Sequence, residues 1–426
     1  MSNASSPQLD FDLSPPEKAS AFAEEIGAFH EFGTATRVLF TETESATGEP
    51  IRVPTYVNEF WTAKQRAASR LHEISYRACF KPQLPRFFIQ RLTAPGEIVY
   101  DPFMGRGTSL VEAALLGRIP FGCDINPLSV FLTRPRLNPP TLEQIATRLG
   151  EIPLDKHEEW PEDLLVFYHP ETLKKLVALK EYLLRRTACG ALDAADDWIR
   201  MVAINRLTGH SPGFFSVYTL PPNQSASIKS QQKINLTRNQ TPPERNFVQI
   251  ILKKSRILLK DCDAKTRLSL AKNSERALLV TQLASNTPQI PGNSVSLAVT
   301  SPPFLDIVDY AGDNWLRCWF AGIDPKTVKL TVPRKLDDWE EAMTGVFHEL
   351  HRVLKPGGHV AFEVGEVRGG TIKLEETVLP CGIAAGLRPE LILINDQEFT
   401  KTANCWGVDN NAKGTNTNRI VVFRKH

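Results

Sequence analysis

No apolar run in this chain approaches the roughly 18 residues needed to cross a bilayer. The first residues, which include Asp10, Asp12 and Glu17, lack the basic and then apolar order of a signal peptide, so a cytoplasmic location is expected. Seven cysteines stand without a single CxxC pair, which argues against a zinc site or a disulfide framework and for reduced thiols; no metal is expected, and Cys123 and Cys405 read as packing residues. The chain also lacks an excess of one charge, since 50 basic and 48 acidic residues leave a net of +2. A balance of that kind says nothing about partners until it is resolved along the sequence. What is present is length, 426 residues with 42% hydrophobic content. That is enough for a large core in two or three lobes, or in one domain with a large insertion.

Val295 to Val299 is a short, mostly apolar run of the sort that forms a strand covered on both faces of a parallel sheet. Thr300-Ser301-Pro302-Pro303-Phe304 follows it. Proline fixes φ and has no N–H, so two in succession force a stiff extended turn whose carbonyls cannot join a ladder. Those carbonyls, the Ser301 hydroxyl and the flat face of Phe304 together suit a planar base carrying an exocyclic amine. The same residues also suit a strand-ending turn with Phe304 in the core, and both readings stay open on this stretch alone.

A second element runs from Glu97 to Asn126. Ile98-Val99-Tyr100 reads as a strand, Asp101-Pro102-Phe103-Met104-Gly105-Arg106-Gly107-Thr108 as a glycine-bearing turn, and Ser109 to Leu116 as a helix ended by Gly117. Gly105 and Gly107 permit close backbone approach to a nucleotide-like ligand, and the helix after them offers free N–H groups. A second strand, Ile119 to Cys123, ends in Asp124, placed where such folds accept a ribose diol, with Ile125 and Asn126 beside it. Upstream, Tyr56 to Leu92 is dense in large apolar residues. Its turn Phe80-Lys81-Pro82-Gln83-Leu84-Pro85 is either a helix–helix connection or a cofactor contact.

The Asp101-Pro102-Phe103-x-Gly105-x-Gly107-Thr108 and Ser301-Pro302-Pro303-Phe304 motifs resemble those of the amino-group DNA methyltransferases, specifically their N4-cytosine branch. The resemblance covers roughly residues 78–130 and 275–365. It implies an α/β, Rossmann-like methyltransferase fold with a mixed, mostly parallel sheet, and S-adenosylmethionine as cofactor. It also implies that Asp101, Pro102, Phe103, Gly105, Gly107 and Thr108 bind that cofactor, with Lys81 and Pro82 over its methionine end. Ser301, Pro302, Pro303 and Phe304 would hold the target amine. Relatives of the N6-adenine branch usually carry Asp or Asn where this chain has Ser301, which points to cytosine. N6-adenine methylation, RNA base methylation and a non-catalytic DNA-binding module are the alternatives.

Gly107 and Ser301 lie 194 residues apart, so something is inserted between them. Helices are expected from Pro170 through Leu184 and around Trp198 to Leu207, then an aromatic and proline-rich loop from Gly209 to Gln224. From Ala226 to Leu270, ten basic residues face three acids, a net of +7 that leaves the rest of the chain at −5. Lys229, Lys233, Arg238, Arg245, Lys253, Lys254 and Arg256 are the candidate DNA contacts, and a solvated helix face is the alternative. Double-stranded DNA is the expected partner, with a cognate restriction endonuclease as a further one.

Four segments follow: a helical extension at 1–60, with Ser14-Pro15-Pro16-Glu17 as its cap and Phe22, Ile26 and Phe29 at helical spacing; a first methyltransferase part at 61–135; a large, mostly helical, basic insertion at 136–272, read as the target-recognition region; and a second methyltransferase part at 273–426. In that last part Ala277 to Thr281 is a strand, and Asp338 to Leu354 an amphipathic helix with Asp338 and Glu341 as capping box. Lys355-Pro356-Gly357-Gly358 then leads into a strand at His359 to Val364. The Asn- and Thr-rich stretch from Asn404 to Arg419 reads either as a hairpin or as a contact with base or cofactor, before a last strand at Ile420 to Phe423.

Overall fold

The computed structural model describes residues 20–62, 68–77, 79–155, 159–303, 310–328, 333, 335–367, 372–396 and 417–426. The expected cap at Ser14 to Glu17, Phe304, and residues 404–416 of the Asn- and Thr-rich stretch lie outside them.

The chain opens with helix α1 (Ala21–Gly27), capped by the Ser20 side chain accepting the Ala23 N–H at 3.1 Å. Strands β1 (Arg37–Glu44) and β2 (Pro50–Asn58) come next and pair antiparallel. A purely helical extension is therefore corrected: β-branched and aromatic residues in 37–58 form a hairpin, and β2 joins the main sheet beside a C-terminal strand. Then follow α2 (Gln83–Leu92), β3 (Ile98–Asp101), α3 (Thr108–Leu115), β4 (Ile119–Asp124) and α4 (Leu128–Leu137). The insertion supplies α5 (Leu142–Glu151), α6 (Pro170–Ala188), α7 (Ala194–Arg206), α8 (Ile228–Arg238), α9 (Phe247–Leu258) and α10 (Ala264–Ser274). The chain re-enters the sheet with β5 (Leu278–Thr281) and β6 (Val295–Thr300). After α11 (Tyr310–Ala321) come α12 (Leu336–Val353), β7 (Leu354–Val364), the short pair β8 (Glu366–Val367) and β9 (Ile372–Lys373), α13 (Leu374–Ala384), β10 (Arg388–Asp396) and β11 (Thr417–Arg424). The Asp338/Glu341 capping box does not form. Helix α12 begins two residues earlier, at Leu336 after Lys335, with no side-chain cap, and Asp337 and Asp338 instead lie in its first turn, where negative charge suits the helix N-terminus.

Among the described residues the main sheet has nine strands in the order β1-β2-β10-β11-β7-β6-β3-β4-β5. Strands β7, β6, β3, β4 and β5 run parallel, and β11 enters antiparallel between β10 and β7. This is the Rossmann-like methyltransferase arrangement, with the β1–β2 hairpin added at one edge. The chain travels outward from β3 to β5, then returns to β6 on the other side of β3, which makes the gap between β3 and β6 the topological switch point.

Alternation along each strand feeds two faces. Tyr100, Ala298, Val360 and Phe362 pack with Trp339, Phe347 and Leu379 of α12 and α13, whereas Val99, Leu297, Val299 and Ala361 pack with Phe22, Phe60, Phe87 and Phe88. The insertion is helical as expected but not a separate lobe. Trp198, Phe215 and Phe247 share one core with Val111, Leu128 and Leu132 of α3 and α4 and with Leu316 of α11. The Phe215 and Phe247 rings stack at 4.5 Å, and the buried Trp198 indole donates to Ser255 Oγ at 3.0 Å, fastening α7 to α9.

Candidate active site

The C-terminal ends of β3 and β6 lie side by side at the switch point, and each carries one of the two motifs. The fully buried Asp101 closes β3. Its Oδ1 accepts the Thr300 hydroxyl at 2.6 Å and the Phe103 N–H at 3.1 Å, and its Oδ2 accepts the Ser109 hydroxyl at 2.8 Å. One carboxylate thus joins β3, β6 and α3. Burial pushes its pKa up to about 6, and the three donors oppose that rise without cancelling it. Asp101 therefore braces the site through its carboxylate, and its donors all come from the protein.

Gly105 and Gly107 take left-handed φ values of +48° and +74°. They do so for different reasons. A Cβ on Gly107 would lie 2.3 Å from Thr133 Oγ1, so packing of α4 demands this glycine, whereas a Cβ on Gly105 would meet Tyr76 at an ordinary 3.7 Å. At Gly105 the left-handed backbone, and not a clash, favours glycine, and its backbone lies under Tyr76. The Gly105 N–H donates to Asp124 Oδ2 at 2.8 Å, while Asp124 Oδ1 accepts the Asn126 N–H at 2.9 Å. The half-buried Asp124 stands at the tip of β4 beside Ile125, and burial raises its pKa. Two other expected cofactor residues are engaged elsewhere. Asn126 is buried and its Oδ1 accepts the Leu128 N–H at 3.0 Å, at the start of α4, and Thr108 Oγ1 accepts Arg106 Nε at 3.1 Å. Pro102 and Phe103 hold the turn between β3 and Gly105.

Arg106 extends this turn toward the upstream segment. Its Nη1 donates to the Ile74 carbonyl at 2.8 Å and its Nη2 to that of Phe80 at 3.4 Å, which brings the Lys81-Pro82 turn against the glycine turn. The fully buried Arg136 of α4 donates to the carbonyls of Arg106 and Leu71. Glu112 of α3 completes the bracing by accepting His72 Nε2 at 2.8 Å and Arg86 Nε at 2.5 Å. Sequence reasoning missed these residues; a buried Arg, Glu or His inside apolar helices is visible there only once burial is known.

On the turn after β6, Ser301 is half-buried and Pro302 buried. The Ser301 side chain hydrogen-bonds the carboxylate of Glu363 on β7, which also accepts Asn418 Nδ2 at 2.8 Å. Burial raises the Glu363 pKa and these two donors work against it. Sequence reading left Glu363 unremarked, although a carboxylate in the apolar run His359 to Val364 was the signal. Asn418 thus brings the far end of the Asn- and Thr-rich stretch against β7, the strand beside β6.

The basic insertion reaches this region through α11, the helix after the turn. Ser225 Oγ donates to the Asp313 carbonyl at 3.0 Å, and Trp315 Nε1 to the Ala226 carbonyl at 3.2 Å. Lys229, Lys233, Lys253 and Arg256 are exposed on α8 and α9. Arg238 is exposed too, but its guanidinium lies over the Tyr218 ring at 3.7 Å. Two expected contacts point inward instead. Lys254 donates to the Glu73 carbonyl and burial lowers its pKa to about 8, while the half-buried Arg245 donates to the Ser216 carbonyl at 3.3 Å.

Residues 44–130 match a family model of the N6/N4 methyltransferases described as DNA methylase. The chain is 33% identical over 89 residues to the Type II methyltransferase M.MjaII of Methanocaldococcus jannaschii, a match covering 21% of this chain and 17% of that one. It is 32% identical over 102 residues to M.MvaI of Kocuria varians, covering 23% and 21%. A longer match, 21% identical over 281 residues and covering 60% and 53%, links it to M.BsoBI of Geobacillus stearothermophilus. The matched stretches thus span a fifth or less of the first relative's length, about a fifth of the second's and about half of the third's. These matches support an amino-methyltransferase. The glycine turn at the switch point, with left-handed Gly105 and Gly107 and with Asp124 at the tip of the next strand, fits S-adenosylmethionine, which is the cofactor of this domain.

Proposed function

We propose that this protein is a site-specific DNA methyltransferase that acts on the exocyclic N4 of cytosine. The observation that carries the reading is the Asp101–Thr300 bond, which locks the glycine turn and the Ser301-Pro302-Pro303 turn together at one switch point. Bound S-adenosylmethionine supplies an electrophilic methyl group, and the residues of this chain have to hold the cofactor and present the amine.

Asp124 accepts the ribose hydroxyls of the cofactor, Phe103, Gly105 and Ile125 line its path, and Lys81 and Pro82 cover its methionine end. Ser301 has one hydroxyl proton. Because its side chain bonds the Glu363 carboxylate, which accepts but cannot donate when ionised, that proton points to Glu363 and the Ser301 oxygen keeps lone pairs for the substrate. The Pro302 carbonyl is a second acceptor. A cytosine amine has two N–H bonds; two acceptors that fix both leave the nitrogen lone pair directed at the methyl group, in line for direct attack. The proton shed after transfer passes to the Ser301 oxygen as the Ser301 proton moves to the Glu363 carboxylate. Phe304 stacks on the base, which must leave the duplex to reach this depth. Lys229, Lys233, Arg238, Lys253 and Arg256 meet backbone phosphates of double-stranded DNA. The relatives' designation as Type II methyltransferases favours a cognate restriction endonuclease as functional partner.

N6-adenine is the second reading, favoured by a family model whose name spans both amino groups. Ser301 in place of an Asp or Asn favours cytosine. Incubation with methyl-labelled S-adenosylmethionine and either duplex DNA or RNA tests the substrate class: label is expected in DNA, and label confined to RNA overturns the reading.

A further inference from the structure

The catalytic turn is poor in donors. Pro302 and Pro303 have no N–H, so between Ser301 and the end of the described turn the backbone has one N–H with which to fix itself. Its position depends on donors from other elements reaching its carbonyls. One does. The Trp339 indole Nε1 donates to the Pro303 carbonyl at 3.0 Å, across 36 residues of chain. Trp339 lies in the first turn of α12, is 0% exposed, and packs among Ala298, Val364 and Val378 on one face of the sheet. Its single polar atom has no other use, and a buried indole N–H needs a partner.

Among the described residues no donor reaches the neighbouring Pro302 carbonyl. Among the described residues, then, the Pro303 carbonyl is tied to the protein and the Pro302 carbonyl is not. We infer that Trp339 is a positioning residue for the methyl-transfer reaction, holding Pro303 so that the Pro302 carbonyl and the Ser301 hydroxyl face the target amine together. Glu363 orients the serine from one side of the turn and Trp339 fixes the proline from the other. This rests on the proposed amino-methyltransferase reading, since it assigns the freed carbonyl to an amine.

Trp339→Phe keeps an aromatic ring in the core and removes the N–H. The rate of methyl transfer at saturating substrates should fall about 10- to 100-fold, as expected for a misplaced near-attack geometry, while KM for DNA and the cofactor Kd stay within about twofold. A loss confined to kcat is not what a packing role gives. In parallel, the wild-type protein with ¹⁵N-labelled tryptophan should show a slowly exchanging indole proton that Trp339→Phe removes. Unchanged kcat in Trp339→Phe, a joint fall of kcat, affinity and melting temperature, or a fast-exchanging Trp339 indole proton would each overturn the inference. Where the wild type transfers methyl groups and Trp339→Phe does so equally well, this inference alone fails. A wild type that transfers none to DNA or RNA removes the functional reading and this inference with it.

Discussion

The Thr300 hydroxyl donates to the Asp101 carboxylate at 2.6 Å across 199 residues of chain, so the glycine turn and the Ser301-Pro302-Pro303 turn share one buried acid. A charge held in that place is costly, and burial accordingly raises Asp101 from 3.8 to about 6. A carboxyl whose folded pKa is raised favours the protonated state. Its contribution to stability is complete below about 3.8 and is lost as pH rises through about 6. We predict that wild-type stability gains on the order of 2–3 kcal/mol from this group between pH 7 and pH 4, and that Asp101→Asn lacks the gain. Thermal melts of both proteins across that range check it; parallel pH profiles would contradict the assignment.

Glu363 gives a second prediction, with the opposite pH sense because here the ionised form is needed. Glu363→Gln should lower kcat by about 100-fold with the cofactor Kd unchanged, since an amide can donate to Ser301 and turn the hydroxyl proton toward the substrate. Ser301→Ala should match it in kcat and leave DNA affinity little altered. In the wild type, kcat should drop on acidification above the ordinary carboxylate range, because burial raises Glu363. Steady-state rates against pH decide this; an unchanged acidic limb in Glu363→Gln would show that another group titrates.

The inward turn of Lys254 separates it from its neighbours. Removing the exposed Lys253 and Arg256 should weaken DNA binding and flatten the plot of log K against log salt by about 0.9 for each phosphate no longer neutralised. Lys254→Met should leave that slope unchanged and shift the melting temperature instead, because it severs the tie to the Glu73 carbonyl. Salt titrations of DNA binding distinguish the three. Equal slopes in all variants would return α9 to a solvated face.

Much of this was legible beforehand where chemistry and periodicity agree. The strand, glycine turn, helix, strand and acid from Ile98 to Asp124 appear as read, because alternating burial, turn residues and helix stop are all local properties. The β1–β2 hairpin was not legible: helix α1 lies just before it, and its pairing with β10, over three hundred residues later, is a tertiary fact. Lys254 and Arg245 look like any other cations in a basic stretch, and burial alone distinguishes them. Asp101, Thr108 and Asn126 carry the right motif letters, yet the fold engages their side chains in joining strands and capping a helix. Glu363 and Trp339 belong to the site through long-range contacts that no spacing rule reaches.

The proposed function stands or falls on which atom is methylated. Duplex DNA containing all four bases, incubated with the protein and isotopically methyl-labelled S-adenosylmethionine, then digested to nucleosides and resolved by mass spectrometry, reports it directly. Labelled N4-methyldeoxycytidine is expected from the wild type and is lost in Ser301→Ala. Label in N6-methyldeoxyadenosine alone, or no label in DNA from a folded protein that binds the cofactor, would contradict it.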